Sequence, residues 1–175
     1  GEELSLAEGS RELRWLTRRV LRNARCVIAN SRNTESILRE RWDVRPAVLR
    51  VIHPGVDADH FTPAPRDPAI RDRLGWGDRP VILTVGRLQE RKGHDTMIRA
   101  LAEVRRRVPD VLYAIVGDGE RRADLERLAD AEGLAGHVRF HGELDDDAMR
   151  ECHQQADLFV LPNRQVGGDF EGFGI

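Results

Sequence analysis

Short strand-like runs alternating with loops and segments of helical period constrain this chain more than any other feature. VILTV (81–85) is continuous and β-branched, as in a strand buried on both faces. The next segment places Met97, Ile98, Leu101, Val104 and Val108 three or four residues apart. That spacing predicts one helix, capped by Asp95 or Thr96 and ended by Pro109-Asp110. VLYAIV (111–116) is the next strand. A helix over 121–131 follows, with Leu125, Leu128 and Ala129 as its stripe and Gly133 closing it. VRFHG (138–142) and LFVL (158–161) are two more strands, separated by a short helix that starts at Asp145–Asp147 and carries Met149 and Cys152. Strands alternating with helices over short connections imply right-handed βαβ units and a parallel sheet, hence an α/β fold. Ligands of such sheets sit at the carboxyl ends of the strands, so the loops there come under scrutiny first.

The first 60 residues are less regular. A basic helix is expected over 10–23, with Leu13, Leu16, Val20 and Leu21 facing inward. CVIAN (26–30) and VLRVIH (48–53) are short strands around a helix over 34–42, capped by Ser31 or Asn33. Residues 53–68 hold four of the eight prolines and are expected to form a linker. Charge is uneven: residues 1–50 hold 11 Arg against 7 acids, and the remainder 17 Lys or Arg against 23 acids. The formal net charge of −2 gives no general argument for nucleic acid binding. Arg11, Arg14, Arg18, Arg22 and Arg25 are read as a solvated face, with contact to a membrane surface or an acidic acceptor as the alternative. Cys26 and Cys152 make no disulfide framework, no apolar run reaches the length of a membrane helix, and the polar start is no secretory signal. A reduced, cytoplasmic protein is expected.

Three loops carry chemistry. The first follows strand 81–85: Gly86 permits close backbone approach, Arg87 offers a fork of donors, and Lys92 adds a compact charge where the chain turns into a helix. Lys92 is the only lysine among 28 cationic residues. The set suits a diphosphate, and reads equally as two solvated surface cations. The second loop, Gly117-Asp118-Gly119, is either a ligand-cradling turn or a plain tight turn. It is neither a dinucleotide fingerprint nor a P-loop. The third, Gly167-Gly168-Asp169-Phe170-Glu171-Gly172-Phe173-Gly174, sets a carboxylate among glycines. There Glu171 can accept from ligand hydroxyls while backbone N–H groups face a ligand. Glu143 to Asp147 read as a solvated helix start, and His53 and His94 as loop or cap residues. No histidine spacing suits a metal site, and no nucleophile elbow occurs.

Taken in order, VILTVGRLQERKGHDTMIRAL, AIVGDGE, VRFHGEL and ADLFVLPNR…EGFGI resemble the group 1 glycosyltransferases, the retaining family four. Upstream, VIANSRNTESIL and VIHPGVDADHFTP are similar to the end of that family's acceptor domain and its hinge. The resemblance implies the GT-B fold of two Rossmann-like domains. Residues 1–53 would be the remnant of an acceptor domain, 54–68 the interdomain linker and 69–175 a donor-binding domain that stops short of its own end. It implies a nucleotide-sugar donor. Arg87 and Lys92 would hold its diphosphate, Gly86 would admit the phosphates, and His141, Gly142, Glu143 and Leu144 would receive the base. Glu171 would be the first glutamate of the family's paired motif, with Gly172, Phe173 and Gly174 beside the sugar and phosphates. The segment from Arg164 to Asp169 resembles loops of bacterial mannosyltransferases acting on lipid or inositol acceptors.

Activity, on this resemblance, is retaining transfer of a hexosyl group to an acceptor hydroxyl, with a mannosyltransferase as the narrower reading. Glu171, Arg87 and Lys92 would be the catalytic set, and neither cofactor nor metal is expected. The acceptor would be a lipid, a sugar or a small molecule, reached from the cytoplasm with peripheral contact at the inner face of a membrane. The chain alone is expected to lack turnover. Two alternatives stand: a nucleotide-sugar epimerase of similar fold, and a module that binds the donor without transfer.

Overall fold

The structure, a computed structural model, describes Ala7 and residues 9–166. By its internal contacts the chain divides after Val56, and each part has its own core.

In the first part, α1 (Arg11–Asn23) leads to β1 (Val27–Ala29), α2 (Arg32–Glu40) and β2 (Leu49–Val51). Ser31 caps α2, its hydroxyl accepting from the Thr34 N–H at 3.1 Å. The strands β1 and β2 pair in parallel, Val27 against Leu49 through Ala29 against Val51. Ala29, Ile37, Leu38, Trp42, Val44 and Leu49 form the core. The expectation that Leu13, Leu16 and Val20 face inward is overturned. All three are exposed, as is Trp15, and α1 rests on this core through Leu21 instead. Helical period identifies an apolar stripe, but whether the stripe is covered depends on what else packs there.

The second part runs from Asp57 to Arg164. Its first element, α3 (Pro68–Leu74), lies where the linker was expected to end. Asp67 caps it, accepting from the Ala69 and Ile70 N–H groups; Pro68 occupies the first turn, and Gly75 ends the helix with φ +71°. The sheet follows: β3 (Val81–Val85), α4 (His94–Val104), β4 (Leu112–Val116), α5 (Arg122–Ala131), β5 (Val138–Gly142), α6 (Asp146–Gln155) and β6 (Leu158–Phe159). All four strands are parallel, in the order β5-β4-β3-β6, as the alternation predicts.

Both faces of the sheet are covered, which is why its central strands read as unbroken apolar runs. Ile82, Tyr113 and Ile115 pack with Met97, Ile98 and Leu101 of α4 and Leu125 and Ala129 of α5. Val81, Leu83, Leu112, Ala114 and Val116 pack with Trp76 and Cys152. Three expected boundaries shift. The first turn of α4 is closed by Gly93, in the left-handed conformation, rather than by a side chain of Asp95 or Thr96. Beyond Val104 the chain passes into turns of mixed i→i+3 and i→i+4 bonds ahead of Pro109, and Val108 lies outside the helix. The last strand is only Leu158–Phe159, although the Val160 N–H still donates to the Leu83 carbonyl at 2.9 Å.

Candidate functional site

The carboxyl ends of β3, β4 and β5 are joined by backbone hydrogen bonds that glycine N–H groups donate. The Gly86 N–H donates to the Val116 carbonyl at 2.9 Å, and the Gly117 N–H to the Gly142 carbonyl at 2.7 Å. One loop further out, the Leu88 N–H donates to the Asp118 carbonyl at 2.9 Å and the Arg121 N–H to the Leu88 carbonyl at 3.1 Å. Gly86, Arg87, Lys92, Gly117, Asp118, Gly119, His141 and Gly142 therefore share one edge of the sheet. The candidates Glu171, Gly172, Phe173 and Gly174 lie outside the described residues.

The glycines are not equivalent. A Cβ on Gly117 would stand 2.3 Å from the Gly86 carbonyl oxygen, at φ +125°. One on Gly119 would stand 2.8 Å from the Leu88 N and O. These two positions are glycine because two loops touch there, and the tight-turn reading accounts for them. Asp118 serves the same turn: its carboxylate accepts from the Gly119 N–H at 2.7 Å and lies 3.4 Å from the Arg122 guanidinium. At Gly86 an added Cβ would meet, among the described residues, only the Lys92 Cδ and Cε, at 3.8 and 3.9 Å. The Lys92 stem thus crosses the face of Gly86, and no other described residue takes the space a side chain would need. Lys92 is half-buried and Arg87 exposed.

A buried residue supports this loop from below. His94, read from sequence as a loop or cap residue, opens α4 and is buried. Its Nε2 lies 3.3 Å from the Arg87 carbonyl, which can only accept, so Nε2 carries the proton there. Its Nδ1 lies 3.3 Å from the Tyr113 hydroxyl; that hydroxyl donates to Thr84, and Thr84 donates to the Val160 carbonyl at 2.8 Å. Burial, with the Lys92 charge adding to it, pushes the His94 pKa below its ordinary value, and burial pushes the Tyr113 hydroxyl up. Nothing in the residue order marks this role beyond a histidine next to a glycine.

At the end of β5, the Trp76 indole N–H donates to His141 Nε2 at 3.0 Å. An indole nitrogen cannot accept, so the His141 proton sits on Nδ1, and burial lowers the pKa of this ring too. Gly142 has φ +72°. Glu143 is exposed, whereas Leu144 packs against the Trp76 side of the core. Asp145, read as part of a solvated helix start, caps α6 through the Ala148 N–H at 2.8 Å. Among the described residues, no three His, Cys, Asp or Glu side chains come together as a metal site would require. No described helix is long and apolar enough to cross a membrane.

Known proteins resemble this chain in both sequence and fold. Residues 66–175 match the family described as Glycosyl transferases group 1, and residues 3–60 match Glycosyltransferase Family 4. The GDP-mannose-dependent alpha-(1-6)-phosphatidylinositol monomannoside mannosyltransferase of Mycolicibacterium smegmatis is 42% identical over 165 residues, covering 93% of this chain. The alpha-D-kanosaminyltransferase of Streptomyces kanamyceticus is 33% identical over 167 residues, again 93% of the chain. The chain spans 43% and 41% of these two relatives' lengths. Among solved structures, Anabaena HepE in complex with UDP superposes with a TM-score of 0.72 at 27% identity, over 82% of this chain and 40% of that one. Sucrose-phosphate synthase from Thermosynechococcus elongatus superposes with 0.71 at 28% identity, over 88% and 39%. Sequence and structural likeness agree: the chain belongs to the group 1 glycosyltransferases, with their GT-B type of α/β fold.

Proposed function

We propose that this chain carries the donor site of a retaining glycosyltransferase that moves a mannosyl group from GDP-mannose to an acceptor hydroxyl. The open face of Gly86 carries the reading. Of the four glycines in the two loops, Gly86, Gly93, Gly117 and Gly119, it alone has no packing reason to be one among the described residues, and a lysine stem lies across it. A diphosphate fits there between Lys92 and Arg87. The choice of guanosine and mannose rests on relatives named for GDP-mannose at 42% identity.

In the transfer, the bond between the anomeric carbon and the diphosphate oxygen breaks. A new bond forms from that carbon to the acceptor oxygen, and the acceptor proton passes to the departing diphosphate. Negative charge grows on the leaving group as its bond breaks, so fixed cations stabilise the transition state more than the ground state. Arg87 supplies a planar fork and Lys92 a compact charge, and His94 holds the Arg87 backbone. Glu171 is proposed to orient the sugar hydroxyls. With two protein cations on the diphosphate, donor binding is proposed to be independent of divalent metal. The acceptor is read as lipid-linked. The Arg11, Arg14, Arg18 and Arg22 side of α1 is read as the part that meets the inner face of a membrane, with the protein in the cytoplasm.

Titration calorimetry with GDP, UDP and ADP tests the reading. GDP is expected to bind best and to bind equally well in EDTA. R87A and K92A should each weaken GDP by about 10- to 100-fold, the worth of a hydrogen bond to a charged group. A substitution at Arg106 on the solvent side should change nothing. Unchanged GDP binding in both R87A and K92A would place the diphosphate elsewhere and remove the basis of the reading.

A further inference from the structure

The candidate diphosphate loop contains its own competitors. Glu90 lies two residues before Lys92 and Asp95 three after, so two carboxylates flank the cation that a diphosphate needs. Left uncompensated, they repel an incoming polyanion and attract the ammonium it would use.

The structure brings counter-charge to both from 69 residues downstream of Asp95. Arg164 Nη1 lies 2.9 Å from Asp95 Oδ1 and 3.0 Å from Oδ2, and donates to Thr96 Oγ1 at 2.8 Å. Its Nη2 lies 3.8 Å from Glu90 Oε1. Its backbone N–H donates to the Arg91 carbonyl at 2.8 Å, within the same turn. Two residues earlier, the Pro162 carbonyl oxygen occupies the place of a Cβ on Gly93, 2.0 Å from where that atom would be. The chain leaving β6 is thus seated directly on the Lys92-Gly93 turn. Arg121 stands 3.8 Å from Glu90 and Arg99 3.2 Å from Asp95, but Arg164 reaches both acids and also holds the backbone between them.

We propose that Arg164 is a positioning residue for diphosphate binding: it neutralises Glu90 and Asp95 and clamps the Glu90–Thr96 turn, so that Lys92 presents its charge over Gly86. This rests on the donor-site reading above. Arg164 itself is engaged with protein carboxylates and is not a phosphate ligand. The state of Asp95 agrees: burial would push its carboxyl up, yet Arg164, Thr96 and Arg99 together hold it below the ordinary carboxylate range.

The test is calorimetric titration of the 175-residue chain with GDP, with guanosine as the phosphate-free control and circular dichroism to verify folding. R164Q should weaken GDP by about 3- to 30-fold, the range for coupling within one ion-pair network, and leave guanosine unchanged. R164K, which keeps the charge and loses the fork, should fall between wild type and R164Q. The decisive variant is E90Q/D95N/R164Q. With the competing acids neutralised, GDP affinity should return to within about threefold of wild type, which a residue acting only on shape would not allow. If R164Q binds GDP like wild type while K92A does not, the inference fails and the donor-site reading stands. A triple variant as weak as R164Q would also overturn the inference. If the wild-type chain binds none of GDP, UDP or ADP, the donor-site reading fails and Arg164 loses its role with it.

Discussion

Single positions in the loop after β3 decide what the edge of the sheet can do. Gly93 combines φ +70° with a carbonyl oxygen where its Cβ would be. G93A should cost about 1–2 kcal/mol from backbone conformation alone, and more because Pro162 must move. Urea unfolding should show this as a lower midpoint with an unchanged slope. His94 and His141 are each held below the ordinary histidine pKa by burial. The unfolded chain therefore takes up protons first as pH falls. Stability should be flat above about pH 6.5 and decline below it, by at most about 1.4 kcal/mol per pH unit for each histidine. Urea midpoints at pH 7.5 and 5.5 measure the slope, and H94Q should flatten it. The placement of Gly86, Arg87 and Lys92 at the carboxyl edge of the sheet was legible in the sequence because they follow an apolar run. Gly117 and Gly119 invited the same reading, yet they are glycine so that two loops can touch. Contact across 30 residues has no sequence mark, and neither has the burial of His94.

Among the elements, the strands of the second part were legible from their unbroken apolar runs, and α4 and α5 from their stripes. Helix α3, which begins at the last residue of the expected linker, went unread, although Asp67-Pro68 and Gly75 are ordinary start and stop signals. What seats α3 could not be read at all. Arg71 is 1% exposed, and its guanidinium donates to the carbonyls of Gly77, Arg79 and Gln155. A cation so placed ties α3, the turn before β3 and the end of α6 together. In sequence it is one of 27 arginines, with nothing to distinguish it. R71M should leave those carbonyls without a partner and cost about 3 kcal/mol or more, at 1–3 kcal/mol per lost buried group. Thermal unfolding followed at 222 nm checks this, with R73M as the exposed control.

At the scale of the molecule, the two parts were expected from the break in pattern near the prolines. The exposure of Leu13, Leu16 and Val20 was not, because a stripe says nothing about its cover. The sheet order carries a further consequence. Its central strand β3 pairs with β4 on one side and with β6 on the other, and the β6 side closes only at Asp157. There the Val81 N–H donates to the Asp157 carboxylate at 2.7 Å and the Asp157 N–H to the Val81 carbonyl at 3.0 Å. A chain ended at Gln155 should therefore leave one side of β3 open, lose cooperative unfolding and self-associate, as gel filtration and urea titration would show. During synthesis the ribosome releases β3 first and its last neighbour 76 residues later. For that interval the nascent chain exposes its most apolar strand edge, a window in which chaperones compete with aggregation.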